Sequence, residues 1–128
     1  MPDMEKLTIN INPVDLGQIE LLVDQGFYAN RAEFIRLAIH DQLAKHADAV
    51  KESSKRQALV VGASVYDRGT LERMKEAETR LAIRTVGYLA IDDDVPASLA
   101  REVIESVKIY GIFRASADVK AALADRMS

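Results

Sequence analysis

The chain opens with a short segment of strict alternation. Polar and apolar side chains alternate without a break over residues 6–12, the pattern of a strand buried on one face. The apolar face consists of Leu7, Ile9 and Ile11. The polar face consists of Lys6, Thr8 and Asn10. The pattern therefore predicts one half-buried strand at the start of the chain.

Two helices are predicted after this strand. Asn12 is suited to cap the first helix, and Pro13 is suited to its first turn. The helix is expected to end at about Gln25, because Gly26 is suited to the position that follows a helix. Asn30 and Glu33 have the spacing of a capping box and open the second helix. The expected buried stripe of this second helix is Phe34, Ile35, Ala38, Ile39 and Leu43.

A single strand leaves unpaired backbone groups along both edges, so the predicted strand needs a partner. A second copy of the chain can supply it by antiparallel pairing, with four helices around one shared core. The dimer core is then predicted to contain Leu7, Ile9, Ile11, Phe34, Ile35 and Ile39. The alternative is pairing with a strand from the second half of the chain.

The second half of the chain has a different pattern, after a polar run at residues 48–57 that is a linker or a helix extension. We therefore expect domains at residues 1–47 and 58–128. Gly62, Gly87 and Gly111 are spaced by 25 and 24 positions within similar apolar segments. This spacing predicts about three strand-turn-helix repeats, with parallel strands and helices at 70–80, 97–106 and 117–126. Their stacking would form a short solenoid or a small three-layer α/β module.

Candidate catalytic and metal sites are few. The 128 residues include no cysteine, which excludes disulfides and thiolate chemistry. His40 and His46 are six positions apart, which does not place two ligands on one helical face. The acidic run Asp92–Asp94 is expected to cap the following helix, the alternative being a cation site. We predict no catalytic residue, no metal, no cofactor and no membrane segment, and a cytoplasmic location.

The charge of the chain does not by itself suggest a nucleic-acid partner. The net charge is −3, and residues 1–56 hold seven basic and nine acidic side chains. The polar strand face, by contrast, favours a nucleic-acid partner, because a two-stranded ribbon fits the DNA major groove, where Asn, Lys and Thr can contact base edges. The alternative is an ordinary exposed strand face.

The order strand, helix, Gly-containing turn and helix over residues 5–46 resembles the ribbon-helix-helix repressors of the Arc, MetJ and CopG superfamily. The most specific segment is Asn30-Arg-Ala-Glu-Phe-Ile-Arg-Leu-Ala-Ile39. It is similar to the family's second-helix opening, Ser-Arg-Ser-Glu-hydrophobic-Ile-Arg-x-Ala-Ile, with Asn30 and Ala32 in place of the serines.

The resemblance implies an α+β protein: an N-terminal ribbon-helix-helix domain that forms an intertwined dimer with a two-stranded antiparallel ribbon, plus a small C-terminal α/β module. It implies double-stranded DNA as the partner, with Lys6, Thr8 and Asn10 reading bases. The start of the second helix, at Asn30 and Arg31, would clamp a phosphate. The alternative for Arg31 is solvation or an ion pair with a nearby acid.

The functional prediction is a bacterial, sequence-specific DNA-binding regulator that represses transcription as a homodimer or higher oligomer. The alternative is a non-enzymatic assembly or antitoxin-like protein, in which the first domain dimerises and the C-terminal module binds a protein partner. That module has no His or Cys, so a metal sensor is not expected, and an oligomerisation role is preferred.

Overall fold

A computed structural model describes residues 4–128. The described chain divides into two compact units, the first ending at Glu52 and the second beginning at Ser53. It contains six α-helices and one three-stranded sheet. The α+β class is therefore confirmed.

The first unit holds the two predicted helices, α1 (Pro13–Asp24) and α2 (Arg31–Lys45). The side-chain oxygen of Asn12 accepts a hydrogen bond from the amide of Val14 at 2.7 Å, and Pro13 occupies the first helical position. Gly26 follows the end of α1 at φ 86°, a conformation that glycine adopts without steric cost. The predicted start and end of α1 are confirmed.

The start of α2 differs slightly from a standard capping box. The Asn30 side chain accepts from the amide of Glu33 at 2.8 Å, as predicted. The Glu33 carboxylate, however, accepts from the amide of Ala29 at 2.7 Å, one residue before the cap. Both bonds satisfy amides that would otherwise lack a partner at the helix entrance.

The polar run predicted as a linker or helix extension is mostly helical. A third helix, α3 (Ala47–Arg56), begins directly after His46 and continues across the boundary between the two units. Its last turn is followed by Ala58 at φ 54°, and the amide of Leu59 donates to the carbonyl of Ser54 at 2.7 Å. This bond closes the end of α3, and the first strand of the second unit begins one residue later, at Val60.

Residues 4–12 form no strand in the single chain. An isolated strand has no hydrogen-bonding partner, and none of the sheet's three strands comes from this segment. The alternative of pairing with a strand from the second half is therefore not observed.

The second unit alternates strands and helices, and its strands pair in the parallel order β1-β2-β3. Its elements are β1 (Val60–Tyr66), α4 (Arg68–Glu76), β2 (Leu81–Ile91), α5 (Ala97–Val103), β3 (Ile104–Arg114), α6 (Ala117–Leu123) and a final 3-10 turn (Ala124–Arg126). The helix predicted at 97–106 is too long, because Ile104 is already paired with Leu81 at the start of β3.

One hydrophobic core joins the sheet to its helices. Its buried side chains are Leu71, Ile83, Leu89, Ile91, Val95, Leu99, Ala100, Val103, Ile104, Val107, Val119 and Leu123. Because α4, α5 and α6 all contribute to the same cluster, they cover the same face of the sheet. The opposite face carries exposed side chains such as Val61, Val65 and Tyr110. The described unit thus has two layers, and the three-layer alternative is wrong for the single chain.

The turns between strands and helices are capped differently from one another. Asp67 accepts from the amide of Thr70 at 2.8 Å, and Ser116 accepts from the amide of Val119 at 3.2 Å. The prediction that the Asp92–Asp94 run caps the next helix is wrong. Pro96 is the residue before α5 and no side chain caps that helix. Asp92 acts instead through its backbone, whose amide donates to the Tyr66 carbonyl.

Candidate nucleic-acid interface

The predicted base-reading side chains lie in the segment that precedes α1. Lys6, Thr8 and Asn10 are all exposed. The apolar residues between them are exposed too, by 79% at Leu7, 60% at Ile9 and 41% at Ile11. Three large apolar side chains at alternate positions are thus left in solvent by the single chain. Contiguous apolar side chains exposed in this way are typical of surfaces that bind a partner.

An apolar groove lies beside this segment. Ile9 and Ile11 line one part of it, and the remaining lining comes from Leu16 and Ile19 of α1 and from Arg31, Ala32 and Ile35 of α2. Ile19 is the one residue of α1 that is buried. The described residues of the first unit thus leave an open apolar groove beside α1 and α2.

The apolar stripe of α2 is also uncovered. No residue of this helix is buried, and Ile35, Ile39 and Leu43 are exposed by 37%, 47% and 58%. Phe34 is half-buried, and its ring meets that of Tyr28 edge to face with 5.0 Å between centroids. The aromatic pair fixes the entrance of α2 against the chain before it, while the rest of the stripe remains available to a partner.

The N-terminus of α2 has the features of an anion site. The first amides of a helix have no intrahelical acceptor; here the Asn30 side chain and carbonyl accept from Glu33 and Phe34. Within residues 4–128 no acceptor is seen for the amides of Arg31 and Ala32, and a helix dipole favours a negative group at this end. The side chain of Asn30 serves the helix as its cap.

Arg31 forms the ion pair that was the alternative to phosphate contact. Its Nη1 atom lies 3.5 Å from Oε1 of Glu20, and both side chains are more than half exposed. An exposed pair of this kind contributes little to stability because water screens it. The pair with Glu20 therefore holds the Arg31 side chain only weakly.

The structure gives no sign of a metal centre in residues 4–128. His40 and His46 are exposed, and within this range no three His, Cys, Asp or Glu side chains are grouped so as to hold an ion. No helix in the same range is both long and apolar enough to cross a membrane.

Some exposed apolar residues of the first unit were not predicted. Val14 and Leu21 of α1 and Phe27 of the turn are exposed by 67%, 54% and 67%. The sequence carries a signal for Phe27, which directly follows the helix-ending Gly26 and so lies at a turn surface. Together with the α2 stripe they enlarge the apolar surface of this unit.

The chain matches one family model over residues 2–120, that of the Ribbon-Helix-Helix transcriptional regulator family. It is also 33% identical over 45 residues to the transcriptional regulator CdrS of Halobacterium salinarum, a match that covers 35% of this chain and 82% of the relative. No solved structure matches the chain. Regulators of this family bind DNA and usually act as dimers. The match covers the first unit and the second unit as far as the first turn of α6. The chain therefore belongs to the Ribbon-Helix-Helix transcriptional regulator family.

Proposed function

We propose that this DNA-binding regulator acts as a sequence-specific repressor, by inserting a ribbon made from residues 6–12 of two copies into the major groove. The observation that carries the proposal is the alternation of polar and apolar side chains next to an unfilled groove. Leu7, Ile9 and Ile11 are exposed in the single chain, and the last two already line that groove.

Dimerisation supplies the backbone partner and the apolar cover that residues 6–12 lack in the single chain. Antiparallel pairing of two copies gives the backbone groups along the inner edge of each strand a partner, while those along the outer edges stay hydrogen-bonded to water. The three apolar side chains of each copy then pack on the helices, where Ile35 and Ile39 contribute to the shared core. The burial of these side chains is worth about 1.5–3 kcal/mol each when complete, which favours the ribbon over the extended single segment.

Base recognition falls to the opposite face of the ribbon. Asn10 can make a bidentate pair with adenine, Lys6 can donate to guanine acceptors, and Thr8 can donate to a base or contact a thymine methyl. The two copies place six such side chains on one ribbon, which sets the sequence preference.

Phosphate contacts orient the ribbon. The free amides at the start of α2 and the side chain of Arg31 meet a backbone phosphate on each side of the groove. Residues 1–56 have two more acidic than basic side chains, so few phosphates are neutralised and non-specific binding is weak. Specificity then depends on base contacts and on several dimers binding together. Bound dimers repress by occlusion, without catalysis.

The experiment that tests this proposal is selection of duplexes from a random DNA pool by the intact protein at low salt. We expect enrichment of a two-fold symmetric site. Recovery of no preferred sequence would overturn the proposal. If the protein were still dimeric in that case, the assembly or antitoxin-like role would become the better explanation.

A further inference from the structure

Strand β1 is an open edge of the sheet. It pairs with β2 on one side and with no described residue on the other. The amide of Asp92, just after β2, donates to the carbonyl of Tyr66 at 2.9 Å. Backbone groups alternate in direction along a strand, so Gly62 and Ser64 also face β2. The N–H and C=O groups of Val61, Ala63 and Val65 therefore face the open edge.

This edge lacks the features that usually prevent strands from pairing with other chains. Residues 58–66 contain no charge and no proline, whereas protected edges carry charges, prolines or bulges. The side chains of Val61 and Val65 are exposed by 63% and 61%. Ala63, between them, is exposed as well.

The other edge of the sheet is protected. The amide of Ser128 donates to the carbonyl of Val107 at 3.1 Å, and Met127 forms a bridge with the same residue. Strand β3 also carries Glu105, Lys108 and Arg114. Protection at β3 and its absence at β1 indicate that β1 is the edge through which the sheet can grow.

The sequence of β1 is nearly symmetric about Ala63. Val61 and Val65 are equidistant from it, as are the small residues Gly62 and Ser64. An antiparallel pair of two β1 strands centred on Ala63 places Val61 of one copy opposite Val65 of the other. The outward backbone groups then meet in the correct alternation.

We propose that the β1 edge binds β1 of a second copy of this chain, antiparallel and centred on Ala63, to form a six-stranded sheet. A second copy fits because the edge is self-complementary, and because one symmetric contact closes on itself, as in most homodimers. Opposite residues in an antiparallel pair share a face, so both helical layers lie on the same side of the joined sheet. This interface is separate from the proposed ribbon.

Disulfide trapping tests this geometry, since the natural chain has no cysteine to interfere. In the full-length protein without DNA, A63C should form a covalent dimer under mild oxidation. Directly opposite, hydrogen-bonded residues have Cα atoms about 5.5 Å apart, within the range of a disulfide. V61C is the matched control, because two copies of residue 61 would be about 13 Å apart. We expect A63C to cross-link on the order of ten times faster than V61C.

Equal rates for the two variants would overturn the proposal. Cross-linking of an A63C/I112C double variant, without cross-linking of A63C alone, would instead indicate head-to-tail pairing of β1 with β3 and would also overturn it. V65K added to A63C should abolish the cross-link, because the new charges lie at the strand pair, while circular dichroism remains unchanged. None of these measurements involves DNA, so the ribbon proposal and this one fail separately.

Discussion

Gly87 lies directly opposite Gly62 across the β1–β2 pair, and the carbonyl of Gly62 fills the space that a Cβ atom on Gly87 would need. Gly111 stands in the same relation to Gly87 on the next strand. The φ angles of the three residues lie between 126° and 140°, where side chains are strained. The regular glycine spacing in the sequence is therefore a packing requirement of three parallel strands.

Alanine at Gly87 should destabilise the second unit strongly. The new methyl group collides with the Gly62 backbone, which cannot move without breaking the strand pair. G62A is the matched control, because Gly62 has a similar φ angle but an open space at the same point. We expect G87A to lower the free energy of unfolding by about 1–3 kcal/mol more than G62A. Urea denaturation of both variants measures this difference, and similar values would contradict the steric explanation.

Alanine at Lys6, Thr8 or Asn10 should weaken binding to the selected DNA site by about 1–3 kcal/mol for each lost base contact. The fold should persist because all three side chains are exposed. K51A removes the same charge from exposed Lys51 of α3 and serves as the control for K6A. Titration of each variant with the selected duplex and with a scrambled duplex measures both affinities, and a loss confined to the selected duplex identifies a base contact. If K6A and K51A weakened both duplexes equally, Lys6 would not read bases.

Aspartate at Ile35 should break the proposed dimer core. Ile35 lines the apolar groove, and a carboxylate buried there in both copies carries a large desolvation cost. We expect the dimer dissociation constant to rise by at least about a hundredfold. Leu37 is similarly exposed, but lies about 200° around the helix from Ile35, so L37D should have little effect. Sedimentation equilibrium in a V65K background measures this without association through β1, and equal effects would contradict the assigned core.

Alanine at Arg31 should weaken binding to all DNA sequences to a similar extent. A phosphate contact carries no base information, and its loss should reduce the salt slope of binding by about one. E20Q removes the ion-pair partner of Arg31 without altering the arginine, so it should leave DNA affinity unchanged or increase it. Titrations at several salt concentrations measure both slopes. If R31A had the same salt slope as the natural protein, Arg31 of the natural protein would stay paired with Glu20 when DNA is bound and would contact no phosphate.

Acid should weaken the second unit through Asp125. Two hydrogen bonds from Arg101, at 2.8 and 3.0 Å, lower the pKa of this carboxyl below its ordinary value of 3.8. The stabilisation is present above the ordinary pKa and is lost as the pH falls through the lowered one. D125N should therefore be less stable than the natural protein at pH 7 and equal to it in strong acid. D93N, at an exposed turn residue, is the control. Urea denaturation at several pH values measures the free energy of unfolding, and a difference between D125N and the natural protein that does not change with pH would contradict this assignment.

Local signals in the sequence were sufficient for the helices of the first unit. Asn12, Pro13 and Gly26 act on neighbouring backbone groups, so their effect does not depend on distant contacts. The hydrogen bond by which Asp67 caps α4 is local in the same way. The base-reading and phosphate-clamping roles also come from the sequence, and they remain predictions because they concern contacts with a second copy and with DNA.

The sequence by itself determined the helix boundaries at Asn12 and Asn30, the spacing of the glycines and the alternation of residues 6–12. Only the tertiary structure decided that Ile104 begins a strand, that Pro96 precedes an uncapped α5, and that the helices share one face of the sheet. Those outcomes depend on pairing and burial between segments far apart in the chain, which no local pattern encodes. For the same physical reason, the structure of a single chain does not decide whether the segment before α1 forms a strand, because a strand requires a partner for its backbone.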